Sequence, residues 1–133
     1  TCHTYDNQTP FAILNVHGLW DKTGKGDCLR RHAQMWNIRS IAEKFTCPTI
    51  IAGDFNARPD TECMKMFTEA RKFRNLITDY DIIDTRTKRY TKGERHANYM
   101  LISDNGTVCV KSFSVLPDDV SDHAALRLVC EIG

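Results

Sequence analysis

The chain has 133 residues, 41% of them hydrophobic, and 18 basic against 17 acidic side chains, for a formal charge of +1. That is one domain's worth of sequence with enough apolar residues for a core. It holds neither a polybasic nucleic-acid tail nor an apolar run that could span a membrane. Near neutrality still allows a phosphate ligand, because a local cluster of cations acts whatever the total. Six cysteines stand singly, Cys2, Cys28, Cys47, Cys63, Cys109 and Cys130. With no CxxC pair among them, reduced thiols and a cytoplasmic setting are expected, Cys109 and Cys130 serving as small hydrophobes in apolar runs.

Residues 1–6 and 11–16 read as a hairpin around the turn cluster Asp6-Asn7-Gln8-Thr9-Pro10. His17-Gly18-Leu19-Trp20 follows, then a polar, flexible loop over 21–26. Asp27 is the expected N-cap of an amphipathic helix over 28–45, with Leu29, Ala33, Trp36, Ile38, Ile41, Ala42 and Phe45 at helical spacing. Thr46-Cys47-Pro48 ends it. The strand Thr49-Ile50-Ile51-Ala52 is β-branched and uncharged, which suits burial on both faces. It runs into Gly53-Asp54-Phe55-Asn56. Strand, long helix and strand make a βαβ unit, so its strands are parallel and His17 and Asp54 open onto one rim. A second helix is expected over 59–71, its apolar residues Met64, Phe67 and Ala70, with Met64 and Met66 as packing. Residues 75–89 read as a polar, solvated loop carrying Asp79, Asp81 and Asp84.

Tyr99-Met100-Leu101-Ile102-Ser103 is the next strand, and Asp104-Asn105-Gly106 is a hairpin signal. Residues 107–116 return antiparallel, and 124–131 form the last strand. This order brings His17, Asp54, Asn56, Asn98, Asp122 and His123 to one rim. Such a set suits an anionic substrate and a hard cation, Mg²⁺ or Mn²⁺, held by carboxylate and water oxygens. An Asp can orient and deprotonate a water, while a protonated His and an Asn meet developing charge on phosphorus-bound oxygens. Each residue also has a structural reading. Asp54 and Asn56 suit an Asx-turn before Pro59, His17 a hydrogen-bonded surface histidine, and Asp122 a turn residue before the last strand. His3, His32 and His96 lie in no motif and read as structural.

Asn15-Val16-His17-Gly18, Gly53-Asp54-Phe55-Asn56 and Ser121-Asp122-His123-Ala124-Ala125-Leu126 resemble, in order and context, the later motifs of the endonuclease/exonuclease/phosphatase superfamily. The resemblance implies half of a four-layer α/β sandwich: a mixed sheet with a βαβ unit, C-terminal antiparallel strands, and helices on one face. It implies metal-dependent hydrolysis of a phosphodiester or phosphomonoester by water attack at phosphorus. His123 would contact the scissile phosphate, Asp122 would hold a metal or its water, and Asp54 would position the attacking water. Asn56 would donate to a phosphate oxygen, and His17 would help bind the phosphate.

Two departures from the family pattern stand out. Asn98 occupies the place of an Asp that orients the catalytic histidine, so His123 lacks a carboxylate to support its imidazolium. Loss of the analogous carboxylate costs about 10⁴-fold in the serine-protease triad. The second departure is extent: residues 1–133 form a single domain that matches only the family's second half, without the first half's metal-binding Glu. A fragment lacking its N-terminal half is the favoured reading, since the chain starts without Met; a second copy covering the open sheet face, or a degenerate relative, are the others. A non-catalytic relative that binds a phosphate-bearing partner through the same rim, and a structural oligomerisation unit, are the competing functions. The loops at 21–26 and 85–95 are expected to set substrate choice. The second, with Arg86, Lys88, Arg89, Tyr90, Lys92 and Arg95, suits a nucleic-acid backbone or is simply a solvated basic loop.

Overall fold

Two parallel strands joined through one helix carry the frame. In the computed structural model, which describes residues 9–133, these are β1 (Ala12–His17), α1 (Leu29–Ala42) and β2 (Thr49–Asp54). β1 and β2 are in register from Ala12 opposite Thr49 to His17 opposite Asp54. The expected strand at 1–6, with Cys2 and His3, lies outside the described residues. Next come α2 (Glu62–Lys65), a 3-10 turn at Glu69–Arg71, β3 (Phe73–Asn75), α3 (Leu76–Asp79), β4 (Asn98–Ser103), β5 (Val108–Val115) and β6 (Leu126–Ile132). The main sheet has the order β1-β2-β4-β3, and β5 and β6 form a second, two-stranded antiparallel sheet. β4 runs antiparallel to both β2 and β3. The molecule is thus α/β with a mixed sheet and its helices on one side.

One face of the sheet is sealed by aromatic packing. Ile51, Tyr99 and Leu101 are fully buried with Phe55 and Phe67. The Phe55 ring meets Phe67 and Tyr99 edge-on at 5.8 and 5.4 Å, a favourable aromatic geometry. The Tyr99 hydroxyl donates to the Ala57 carbonyl at 2.7 Å, so its polar end is satisfied in the core. Met64 and Met66 are buried packing residues, as their sequence suggests. No helix among the described residues is long and apolar enough to cross a membrane.

Several local expectations change. α1 buries Arg31, Met35, Arg39 and Ala42, whereas Leu29, Trp36, Ile41 and the neighbouring Phe45 are exposed. The buried arginines reach backbone carbonyls: Arg31 donates from its two Nη atoms to Leu19, Gly24 and Gly26, its Nε finding no acceptor among the described residues, and Arg39 donates to Met66. A long side chain can bury its stem and still place its guanidinium on acceptors. Arg31 thereby pins the 21–26 loop expected to be flexible.

Asp27 does not cap α1, whose N-cap is Cys28. Its carboxylate instead accepts the backbone N–H groups of Glu62 and Cys63, both at 2.9 Å, at the start of α2. The expected 59–71 helix is instead the single turn of α2, ending at Lys65, and a separate 3-10 turn at Glu69–Arg71 in which Ala70 and Arg71 take positive φ. The 75–89 stretch is not all solvated loop. Asn75 closes β3 and caps α3 by accepting from Ile77 N–H, and Thr85 and Arg86 are buried. Asp104-Asn105-Gly106 does turn the chain, but β5 leaves the main sheet and pairs with β6 rather than with β4. Cys109 is exposed on β5, not buried as a small hydrophobe.

Candidate active site

The end of β2 approaches β1 unusually closely. A Cβ at Gly53 would lie 2.0 Å from the Val16 carbonyl oxygen, and φ there is +142°, so only glycine fits. Gly18 is constrained by space alone, its Cβ position lying 2.2 Å from the Phe55 carbonyl oxygen. This tight crossing lines up one row over three strands. His17 pairs in register with Asp54, and Asp54 with Asn98. Register partners share a sheet face, so the row presents an imidazole, a carboxylate and an amide side by side.

His123 comes to this row from the segment before β6. Its Nδ1 lies 2.8 Å from Asn98 Oδ1 and its Nε2 3.7 Å from Asp54 Oδ2. With the amide oxygen as acceptor, Nδ1 carries the proton and Nε2 faces Asp54. Asn98 is held in turn by donating to the Ala124 carbonyl at 3.1 Å. Thr85 braces both sides: its hydroxyl accepts from Ala97 and Asn98 N–H, and its carbonyl accepts from Ala124 N–H.

The remaining expected residues are placed differently. Asn56 is buried in a left-handed conformation, φ +49°, and its amide donates to the Gly18 carbonyl at 3.0 Å. That contact locks the turn after β2. His17 ends β1 exposed, and among the described residues its ring makes no hydrogen bond to the rest of the row. Asp122 is half-exposed and takes Arg86 Nη1 at 3.1 Å. His32 pairs with Asp27, and His96 meets the Ile82 carbonyl at 2.8 Å, both structural arrangements.

Two cations sit in the rim that sequence spacing did not single out as site residues. Lys25 is 9% exposed, and its ammonium donates to the His96 carbonyl at 2.7 Å. Burial lowers its pKa, as does Arg86, while Asp54 opposes the shift. Arg86, also 9% exposed, lies with its guanidinium 4.1 Å from the Tyr90 ring centroid, a cation–π distance. Residue 86 also forms a backbone bridge to His123. Burial lowers the pKa of His123, with Arg86 and Lys25 adding to the effect against Asp54 and Asp122. The positive charge of the rim therefore rests on Lys25 and Arg86 more than on the imidazole. In the sequence both fall only within the loops expected to set substrate choice, 21–26 and 85–95.

The carboxylates do not assemble a metal centre among the described residues. Among the described residues no three His, Cys, Asp or Glu side chains come together to hold a metal ion. Asp122, the expected ligand, is engaged by a guanidinium, and Asp54 by the Asn56 N–H and His123.

Comparison with solved structures defines the fold. An endonuclease/exonuclease/phosphatase family protein from Bacteroides thetaiotaomicron superposes with TM-score 0.65 at 19% identity, covering 87% of this chain and 47% of that one. The fold is that of part of an endonuclease/exonuclease/phosphatase domain. A functionally unknown conserved protein from Enterococcus faecalis gives TM-score 0.66 at 23% identity, covering 98% of this chain and 53% of that chain. The human Nocturnin catalytic domain with bound sulfate gives 0.57 at 18%, covering 94% and 50%. The chain thus spans about half the length of these structures. No family model and no curated protein matches the sequence.

Proposed function

We propose that the rim binds a phosphate ester and, as part of a longer endonuclease/exonuclease/phosphatase domain, supports its hydrolysis by water. The observation that carries this reading is His123 held by Asn98 at 2.8 Å beside Asp54 at 3.7 Å, on a row of strand ends that also bears His17. Asp54 is the one carboxylate positioned to orient a water and take its proton. His123, protonated once an anion offsets the cations around it, donates from Nε2 to a phosphate oxygen. Asn56 keeps Asp54 in place through the turn, and Asp122 aims Arg86. A divalent ion enters this reading only with ligands from beyond the described residues, supplied by a longer chain or a second copy. Nucleic acid, nucleotides and sugar or lipid phosphates are all substrates that such a rim accommodates, in a cytosolic setting.

A second reading has a specific observation in its favour. Asn98 in place of a carboxylate, together with Asp122 occupied by Arg86, suits a rim that binds phosphate without turning it over. Hydrolysis of bis-p-nitrophenyl phosphate and p-nitrophenyl phosphate, with Mg²⁺ and with EDTA, separates the two. Hydrolysis that His123→Ala lowers by about 10²–10⁴-fold, the usual size of a general acid–base contribution, supports the enzyme. Turnover unchanged in His123→Ala would remove His123 from the chemistry. A silent protein that still binds phosphate would favour the binding module.

A further inference from the structure

The rim contains cationic hydrogen-bond donors that no group among the described residues uses. Arg86 Nε is buried and has no hydrogen-bond partner among the described residues, a state it shares only with Arg31 Nε there, although the same guanidinium donates from Nη1 to Asp122 at 3.1 Å. An unpartnered buried donor is costly and rare in a folded protein. Lys25 is as deeply buried, and its only hydrogen-bond acceptor among the described residues is the neutral carbonyl of His96. An ammonium has three donors, so two remain. A buried ammonium without a carboxylate bonded to it is likewise expensive. Both cations flank Tyr90, with Arg86 at 4.1 Å and Lys25 at 5.8 Å from the ring centroid. Both also act electrostatically on His123.

Asp122, the carboxylate expected to recruit a divalent ion, is meanwhile already paired with a cation. Asp122 faces the guanidinium, and the donor set for a metal does not form among the described residues. The chemistry that completes this arrangement is a tetrahedral oxyanion. A guanidinium and an ammonium both form charge-assisted hydrogen bonds with phosphate oxygens.

We propose that Arg86 and Lys25 are the resident cations of this rim and capture a phosphate group without a divalent metal ion. Arg86 stands where a metal would meet Asp122, and Asp122 is a positioning residue that holds the guanidinium toward the site. The proposal rests on the rim being a phosphate site at all, and it adds which groups bind the anion and that no metal is needed.

Isothermal titration of inorganic phosphate into the 133-residue chain tests this, in EDTA and again in excess Mg²⁺. The expected result is binding in EDTA, changed less than about twofold by Mg²⁺, and weakened by about tenfold or more in R86Q and in K25M, the scale of one lost charge-assisted hydrogen bond. R86K retains charge and should lose less than R86Q. Near-UV circular dichroism of each variant reports whether the rim still folds; if R86Q does not, K25M and R86K decide. Binding that appears only with Mg²⁺ overturns the proposal and leaves the phosphate-site reading intact. Metal-free binding that is unchanged in K25M and the Arg86 variants overturns it as well. No phosphate binding under either condition overturns both.

Discussion

Asp54 uses its two carboxylate oxygens for different purposes. Oδ1 accepts the Asn56 N–H at 2.8 Å and makes the turn, while Oδ2 faces His123 Nε2 at 3.7 Å. The turn reading and the chemical reading of this residue are both satisfied, one on each oxygen. Asp54→Asn keeps an acceptor for the turn and removes the base. Its melting temperature should stay close to wild type while any hydrolysis is lost; a variant with undiminished turnover would exclude Asp54 as the base. Asn98 offers the complementary test. Its Oδ1 sits 2.8 Å from His123 Nδ1 without bringing charge, and His123 titrates below its usual value through burial and Arg86. Asn98→Asp puts a carboxylate there, which favours the imidazolium and should raise the His123 pKa. An NMR titration of the imidazole measures it, and an unchanged midpoint would mean that the two side chains do not meet in solution.

At the scale of elements, the link between α1 and α2 is an ionised side chain. Burial by itself would push the Asp27 carboxyl up, but the N–H groups of Cys63 and Glu62 outweigh it and hold the pKa below the usual carboxylate value. A carboxyl with a depressed native pKa stabilises the fold above its unfolded pKa of about 3.9, and that stability is lost as pH falls through the native value. Asp27→Ala should therefore cost about 1 kcal/mol at neutral pH, as for other helix-start caps. The difference from wild type should narrow below about pH 4. Denaturant melts at pH 7 and pH 3 give both numbers, and a pH-independent difference would show that the charge is not what matters. The same scale explains the mistaken face of α1. Helical spacing finds Leu29, Ala33 and Trp36, but what buries a side chain is the partner across from it. Arg31 and Arg39 had backbone carbonyls there, whereas Leu29 had water.

For the whole molecule, the main consequence is that this chain spans about half of the structures that share its fold. Ile13 on β1 is 49% exposed, and Trp20 and Trp36 are more so. Apolar surface of this kind is commonly covered by a partner or a further part of the chain. Sedimentation of the 133-residue chain should show mass rising with concentration, and a longer chain carrying the other half of the domain should suppress it. A chain that stays monomeric at high concentration would show that these side chains tolerate water.

The sequence by itself determined the elements whose signals are local. An uncharged β-branched run ending in Gly53-Asp54 specifies a buried strand and its rim, because backbone preference and the space available to glycine act within a few residues. The same holds for β1, β4 and β6, and so for the chain positions of His17, Asp54, Asn98 and His123. His17 beside Asp54 was legible, since a strand–helix–strand unit makes its strands parallel, whereas the pairing of β4 with β2 that adds Asn98 to the row came only from the tertiary structure. Tertiary structure alone decided which charges lie inside. Lys25, Arg31 and Arg86 have the composition of solvated loops and helix faces, and nothing in their spacing separates them from the exposed Lys88, Arg89 and Lys92. They are buried because carbonyls of residues 24, 26 and 96, the Asp122 carboxylate and the Tyr90 ring converge on them from distant parts of the chain. A long cation's burial depends on acceptors that exist only once the chain has folded, and for that reason the charge at this rim could be read only from the folded molecule.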